Sequence, residues 1–373
     1  MVTEGAVLKE VADLISKETE IAVDLEMDSL HHYQEKVCLI QISTRHRNWL
    51  IDPLSIGDIS VLSGPLGSEN IRIVMHGADY DVRSLYRDYS IAINNMFDTM
   101  IASRLLGVTE FGLAALLKAR FDIELDKKFQ KADWSKRPLS AEMCAYAVSD
   151  TAYLLDLYDQ LRDELIQKGR LGWLEEECRL VSQARASEKD GPLFLACKGA
   201  GKLKGYALAI LEALLQLREC LARETDRPTF KVFSVETLME IAERKPRNKM
   251  ELSSIKGMTP SLIQKHGDKL LNAVSIALSM HEDGLPVYPR QKREEPSDGA
   301  KERLKILKSW RQQASKNVGL DAGVMAPNWL LEGIAEANPA SVDGLASIAG
   351  MREWQRELYG VSLLKELWPA QNC

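Results

Sequence analysis

Five polar side chains stand where this chain otherwise reads as buried. Asp24 and Glu26 interrupt the apolar run IAVDLEM, Asp81 follows the apolar run IRIVM within HGADYDV, and Tyr146 and Asp150 lie in the helical stretch AEMCAYAVSD. These are the end of a strand, a strand-to-helix junction and a core-facing helix. Carboxylates drawn together by a fold repel one another unless something positive lies between them. The usual answer is a hard divalent cation, which takes oxygen ligands and bridges to phosphate groups. Two such ions roughly 4 Å apart clamp the attacking and leaving oxygens of a phosphodiester. The segments must therefore be kept apart or converge on a shared cation site.

The local spacings favour convergence. Residues i and i+2 of a strand face the same way, so Asp24 and Glu26 stand side by side. Residues i and i+4 of a helix share a face, which makes Tyr146 and Asp150 neighbours. Asp81 opens a helix, where a carboxylate suits the positive end of the helix dipole. Asp79 could do the same, and either could cap the helix. Asp28 either extends the first acid pair or begins a turn. A D-x-E or a Y-x-x-x-D is common by itself; the set of three sites in this order carries the information.

Residues 1–170 alternate strand and helix. EIAVDLEM, VCLIQIS and NWLIDPL read as three strands, with IRIVMHG as a further short one. DVRSLYRDY, DTMIASRLLG, GLAALLKARF and the long stretch SAEMCAYAVSDTAYLLDLYDQLRDEL carry helical periodicity. That mixture predicts a mixed α/β sheet with helices on its faces. Strand signals vanish after about residue 170. KDGPLFLACKGAGKLKG and HEDGLPVYPRQKREEPSDGAK read as linkers. Between and after them lie two helical segments with one shared order: a long helix, a short helix ended by Pro, and a helix–Gly–helix close. They read as degenerate copies of one small helical domain.

The length of 373 residues exceeds one ordinary core. No run of about 18 apolar residues appears, so no membrane span is expected. MVTEGAVLKEVADL carries acids early and lacks an apolar signal core. The six cysteines (Cys38, Cys144, Cys178, Cys197, Cys220, Cys373) show neither C-x-x-C nor zinc spacing, which fits reduced thiols in a cytoplasmic protein. Charge is uneven. Residues 1–170 hold 19 Lys/Arg against 27 Asp/Glu, and residues 198–281 hold 14 against 9. The acidic half suits a metal-dependent site and the basic segment suits contact with a polyanion.

With these residues in view, the chain resembles ribonuclease D, in the tyrosine subgroup of the DEDD exonuclease superfamily. The first motif matches in VDLE at 23–26, the second in HGADYD, the third in YAVSD; FDTMIASRLLG and LDKKFQKADWSKRPLS are similar as well. The two helical segments resemble HRDC domains, the first more closely than the second. The resemblance implies a ribonuclease H-like α/β exonuclease domain with a mixed sheet over residues 1–175, followed by two all-α HRDC-like domains at 203–282 and 300–370. It implies Asp24, Glu26, Asp81 and Asp150 as metal ligands, which selects Asp81 over Asp79, and two divalent ions, Mg²⁺ with Mn²⁺ as the alternative. Asp24 and Asp150 would serve the ion that activates water, and Asp24 and Glu26, with Asp81 through water, the ion near the leaving 3′-oxygen. Mg²⁺ keeps several waters, so four acids suffice. Tyr146, with an ordinary pKa near 10, suits orienting the attacking water better than acting as a free base.

The implied activity is 3′→5′ exoribonuclease trimming of structured RNA with a free 3′ end, tRNA precursors above all, with release of nucleoside 5′-monophosphates. The acid motifs do not recognise a 2′-hydroxyl, so a 3′→5′ DNA exonuclease is the rival enzyme and a non-catalytic RNA-binding protein the rival from another class. Substrate contacts are also implied. Lys127 and Gln130 in KKFQ, on one face if helical, would approach the terminal nucleotide. Trp134 and Arg137 could stack on a base, although Trp134 reads equally as core. Leu25 and Met27 flank the acids, but strand alternation turns them to the opposite face and toward a core role. His76 reads as a structural histidine at a strand end. In the first helical segment, Arg218, Arg223, Arg227 and Lys231, then Arg244, Lys245, Arg247 and Lys249, form clusters suited to phosphate backbone. The second segment, with 9 basic and 8 acidic residues over 301–368, suits a spacing or channel-shaping role.

Overall fold

The computed structural model describes residues 1–185, 190–289 and 297–368. Cys373, the first residue of the first linker and the charged centre of the second lie outside them. Of the described residues, 1–27, 37–185 and 297–368 form one compact unit and 28–36 with 190–289 form another. No described helix is long and apolar enough to cross a membrane.

The first unit is built on a five-stranded mixed sheet of order β3-β2-β1-β4-β5. The strands are β1 (Glu20–Met27), β2 (Val37–Ser43), β3 (Asn48–Ile51), β4 (Arg72–Met75) and β5 (Met96–Asp98). β1 pairs antiparallel with β2 and parallel with β4, so it sits centrally. β5 was not expected: its three residues merge in sequence into the helical stretch that follows. Helices of five residues or more are α1 (Gly5–Ile15), α2 (Asp79–Tyr89), α3 (Thr99–Leu105), α4 (Leu113–Phe121), α5 (Ala141–Ala152), α6 (Leu154–Gln167) and α7 (Leu171–Ser182). The long stretch read as one helix is two, α5 and α6. Tyr153, with φ −110° and ψ 1°, breaks the ladder between them.

Every residue of β2 is buried, as expected of a strand covered on both faces. Leu25, Ile40 and Ile42 belong to the main core with Leu8 and Ile15 of α1. On the other face Leu39 and Leu50 join Ala147 of α5 in a smaller core. Ser43 Oγ meets Thr151 Oγ1 of α5 at 2.6 Å. α5 starts at Ser140, whose hydroxyl accepts the Met143 N–H at 3.1 Å, an N-cap that satisfies one of the orphan donors of the first turn.

The two helical segments repeat one design. The first holds α8 (Tyr206–Glu224), α9 (Val235–Arg244), α10 (Lys249–Ser253) and α11 (Pro260–Leu278); the second holds α12 (Asp298–Val318), α13 (Asn328–Ala337), α14 (Val342–Ala346) and α15 (Glu353–Leu367). Both short middle helices end on a left-handed residue, Lys245 at φ 52° and Asn338 at φ 47°, followed by Pro246 and Pro339. Both closing turns carry a left-handed glycine, Gly257 at φ 90° and Gly350 at φ 77°. A Cβ at Gly257 would run into Thr237 Oγ1, and one at Gly350 into the Trp329 ring.

The second segment belongs to the first unit and docks on α7. The Glu176 carboxylate accepts the backbone N–H groups of Glu353 (2.8 Å) and Trp354 (3.1 Å), placing negative charge at the start of α15 where the helix dipole favours it. Glu177 Oε1 accepts from Arg352 Nε at 3.0 Å and Trp354 Nε1 at 2.9 Å. Trp173 stacks on Trp354 with ring centroids 4.8 Å apart.

Gly257→Ala and Gly350→Ala combine a disfavoured φ with a collision, and each is expected to cost about 1–3 kcal/mol. Gly172→Ala, in α7 with nothing within 4 Å of the added carbon, should be neutral or slightly stabilising. Thermal melting of the three variants checks the contrast.

Candidate active site

The sheet and α5 bring three of the acids together. Asp24 and Glu26 project from the same face of β1, and Asp150 comes down from α5, which packs on that face. One oxygen from each of Asp24, Glu26 and Asp150 lies within 4.8 Å of the other two. Asp81, in the first turn of α2 and 9% exposed, stands outside this triangle but close enough for its charge to act on Glu26 and for that of Asp24 to act on it. Asp79 is exposed and ion-paired to Arg83 one turn on. Asp28 begins a turn in the second unit: its Oδ1 accepts the Lys36 N–H at 2.8 Å.

The cost of this convergence appears in the proton affinities. Burial and then the charge of Asp150 push Asp24 up to about 8. Burial followed by Asp24, Asp150 and Asp81 pushes Glu26 up to about 10. Burial lifts Asp150 to about 7, opposed by the hydrogen bond that Tyr146 donates. Asp81 is raised well above its ordinary value by burial, then by Asp24, Asp98 and Asp79. Protons bound this tightly mark a place where positive charge is wanted. All donors are carboxylate oxygens, without sulfur or imidazole, the set that suits Mg²⁺ or Mn²⁺ rather than a softer metal. The residues fit the implied ions.

Tyr146 is held on two sides. Phe129 packs edge-on at 5.9 Å between centroids and Trp134 lies tilted at 6.0 Å. Burial and the neighbouring Asp150 push the phenol further above its usual range, so it remains a hydroxyl at neutral pH. Phe129 belongs to the turn that carries Lys127 and Gln130, which keeps that turn beside Tyr146. The turn is not a helix; Gln130 N–H reaches Lys127 O at 3.4 Å. Lys127 and Gln130 are both exposed.

Four other expected substrate contacts are placed differently. Trp134 is 1% exposed inside the smaller core, so neither ring face is open to a base; its core alternative describes what is seen. Arg137 is spent on protein partners. Its Nε and Nη2 grip the two oxygens of buried Asp52 at 2.6 and 2.7 Å, and it also donates to the carbonyls of Cys38 and Trp134. Leu25 is 6% exposed in the main core, and Met27 is half-buried against it. Strand alternation turns both away from the acids. His76 Nδ1 meets Thr99 Oγ1 at 2.9 Å, and burial holds its pKa below the ordinary imidazole range.

Asp98 was not singled out by sequence. It is 1% exposed and accepts four backbone N–H groups: Gly77 (3.0 Å), Ala78 (2.8 Å), Met100 (2.8 Å) and Ile101 (3.2 Å). It caps α3 and fixes the turn that delivers Asp81. The Asp before a helical stretch was a legible cap signal; the reach to Gly77 and Ala78 was not.

In the second unit, Arg218 is 9% exposed and is no surface cation. Arg223 lies over the Tyr33 ring at 5.5 Å, Arg244 pairs with Glu240 at 2.8 Å, and Lys249 with Asp268 at 2.8 Å. Arg227, Lys231, Lys245 and Arg247 are exposed and carry no ion pair among the described residues.

Residues 1–166 match the 3′–5′ exonuclease family, and residues 207–274 and 300–367 each match the HRDC domain. The chain is 31% identical to Ribonuclease D of Haemophilus influenzae over 303 residues, 79% of this chain and 75% of that protein. It is 33% identical over 255 residues to the Exosome complex component 10 homolog of Caenorhabditis elegans, of which it spans only 28%. The crystal structure of Escherichia coli RNase D, described as an exoribonuclease involved in structured RNA processing, aligns over 99% of this chain and 98% of that one, with a TM-score of 0.74 and 27% identity. A mixed sheet that gathers carboxylates from its central strand and a covering helix, continued by two HRDC modules, defines a DEDD-type 3′–5′ exonuclease. The chain belongs to the ribonuclease D family.

Two outcomes follow. An acid whose folded value is raised takes up protons on folding, so its contribution to stability is present at low pH and is lost as pH rises. The window here runs from the ordinary carboxylate range up through about 7 for Asp150 and about 8 for Asp24. In chelator, the melting temperature of the wild type should fall from about pH 5 to pH 9 relative to an Asp24→Asn/Asp150→Asn variant, and Mg²⁺ should remove that fall. Separately, Arg137→Ala strands buried Asp52 and is expected to cost about 3 kcal/mol. Arg137→Lys should not restore it, because an ammonium cannot span both oxygens. Chemical denaturation measures both.

Proposed function

We propose that this protein removes nucleotides one at a time from the 3′ end of structured RNA, tRNA precursors among them, by hydrolysis that releases nucleoside 5′-monophosphates. The observation that carries this reading is the meeting of Asp24, Glu26 and Asp150 within 4.8 Å beside the Tyr146 hydroxyl. The structured-RNA part leans on the description of the E. coli relative. The work divides along the segments 1–175, 203–282 and 300–370: the first cuts, the second grips RNA and the third braces α7.

Asp24, Glu26 and Asp150 would hold two divalent ions, with Asp81 set back to act through water. When bound, Mg²⁺ or Mn²⁺ supplies charge neutralisation at the scissile phosphate and lowers the pKa of water. The remaining roles belong to the chain. Tyr146 stays protonated and orients the attacking water by its hydroxyl, while Phe129 and Trp134 fix the ring. Lys127 offers a point charge to phosphate, and Gln130 an amide to a sugar or base edge. Arg227, Lys231, Lys245 and Arg247 suit phosphate backbone without reading sequence.

The test uses 5′-labelled 3′-extended tRNA, single-stranded RNA and a matched DNA, each with Mg²⁺, Mn²⁺ or chelator. Wild type should shorten both RNAs stepwise with either ion and with neither in chelator. Asp24→Asn and Asp150→Asn should each lower kcat by at least about 100-fold, consistent with several kcal/mol of lost charge stabilisation, with the fold intact by circular dichroism. Trimming in chelator or by either variant at the wild-type rate sinks the assignment; preference for DNA would give the enzyme to the rival substrate.

A further inference from the structure

Gln41 is the one polar residue in the middle of β2, and it is 0% exposed. Among the described residues, neither its Nε2 nor its Oε1 has a hydrogen-bond partner. A primary amide offers two donors and an acceptor, and burying it unpaired is unfavourable. Native structures rarely leave such a group without a partner or an ordered water.

The register says where that partner lies. Gln41 pairs directly with Asp24 across the antiparallel β1–β2 ladder. Side chains so opposed project from the same face with Cβ atoms about 4.5–5.5 Å apart. On its other side Gln41 pairs with Leu50 of β3, which is apolar. Along its own strand the same-face neighbours are Leu39 and Ser43, and the Ser43 hydroxyl already meets Thr151 Oγ1 at 2.6 Å. Polar groups on this face of the sheet are Glu26, with Asp150 and Tyr146 from α5, the Ser43–Thr151 pair, and Asp24, which alone stands directly opposite the amide. A neutral donor has a further merit here. It supports an ionised carboxylate without adding a positive charge that would compete with a cation, as lysine or arginine would.

We infer that Gln41 is a positioning residue for Asp24. Its amide nitrogen has no direct bond to Asp24, so it donates to the Asp24 carboxylate through one buried water shared with the Ser43–Thr151 pair. This fixes the rotamer in which Asp24 meets Glu26 and Asp150. The inference rests on the active-site reading above and adds a residue that no motif contains.

Gln41→Met keeps the length of the side chain and removes the amide. A residue that merely filled space would lose two unpaired groups in this change, leaving Mn²⁺ affinity, kcat and KM unaltered. A positioning residue gives a different pattern: a melting temperature no higher than wild type, because the buried Asp24 carboxylate loses a donor, Mn²⁺ affinity in the absence of RNA about 10-fold weaker, and kcat lower by a similar factor. KM for a short RNA should move less than about twofold, since the loss falls on the cation site rather than on RNA contacts. Mn²⁺ binding is read by electron paramagnetic resonance of the free ion. A crystal structure of the unmodified protein with Mn²⁺ gives a readout independent of whether the variant folds. It should show Gln41 Nε2 hydrogen-bonded to a water that also contacts an Asp24 oxygen. Wild-type Mn²⁺ affinity in Gln41→Met, or an amide bonded to no such water, overturns the inference. If the wild type itself binds no Mn²⁺, the active-site reading fails first and takes this inference with it.

Discussion

Repulsion among Asp24, Glu26, Asp81 and Asp150 is the constraint around which the first unit is arranged. The four acids arrive from three separate elements. None would be drawn in by its own solvation, since each gives up water and meets like charge. What holds them is the apolar framework on either side. β1 is central in the sheet, β2 is buried throughout, and α5 is anchored on the sheet by Leu39, Leu50 and Ala147. The apolar burial that folds the unit thus sustains a charge arrangement that is unfavourable until a cation joins it. That order of causes explains why the acids sit on elements whose backbone is fixed by packing: Asp24 and Glu26 in the second half of β1, Asp81 in the first turn of α2 and Asp150 in the last turn of α5.

Holding such a cluster requires more than the acids. Asp98 gathers four backbone N–H groups and so fixes the turn before α2. Phe129 and Trp134 confine Tyr146. The Arg137–Asp52 grip ties the segment carrying Trp134 back to the end of β3. Trp134 and Arg137 therefore act on the site through Tyr146 and the local backbone. A residue can lie within a motif-rich segment and still serve only to place its neighbour.

The sequence made the acid pairs legible because strand and helix periods are local geometry. Asp24 with Glu26, and Tyr146 with Asp150, follow from i+2 and i+4 spacing alone. Asp81 against Asp79 could not be separated that way, since both lie in the first turn of one helix; burial separates them, and burial is tertiary. β5 escaped because MFD is too short to show a period. The α5–α6 break escaped because Tyr153 is neither Gly nor Pro. Trp134 and Arg137 were open to misreading for a different reason. An aromatic and a guanidinium serve a base and a core equally well, and only the partner, Asp52 some 85 positions away, decides.

The two helical modules show which constraints survive when a unit is duplicated. What they share sits at backbone positions with no freedom: a left-handed residue before Pro, and a glycine whose missing Cβ makes room for the start of the short helix. What differs lies on the surface. The first module keeps exposed cations at Arg227, Lys231, Lys245 and Arg247, with no ion pair among the described residues. The second places Trp354 and the start of α15 against Glu176, Glu177 and Trp173 of α7. Main-chain geometry tolerates few residues, whereas a solvated face tolerates many. Copies of one fold can therefore part company in charge and partner while their turns stay alike. The near-neutral balance of the second module fits that division: a surface committed to packing on a neighbouring helix has little use for net charge.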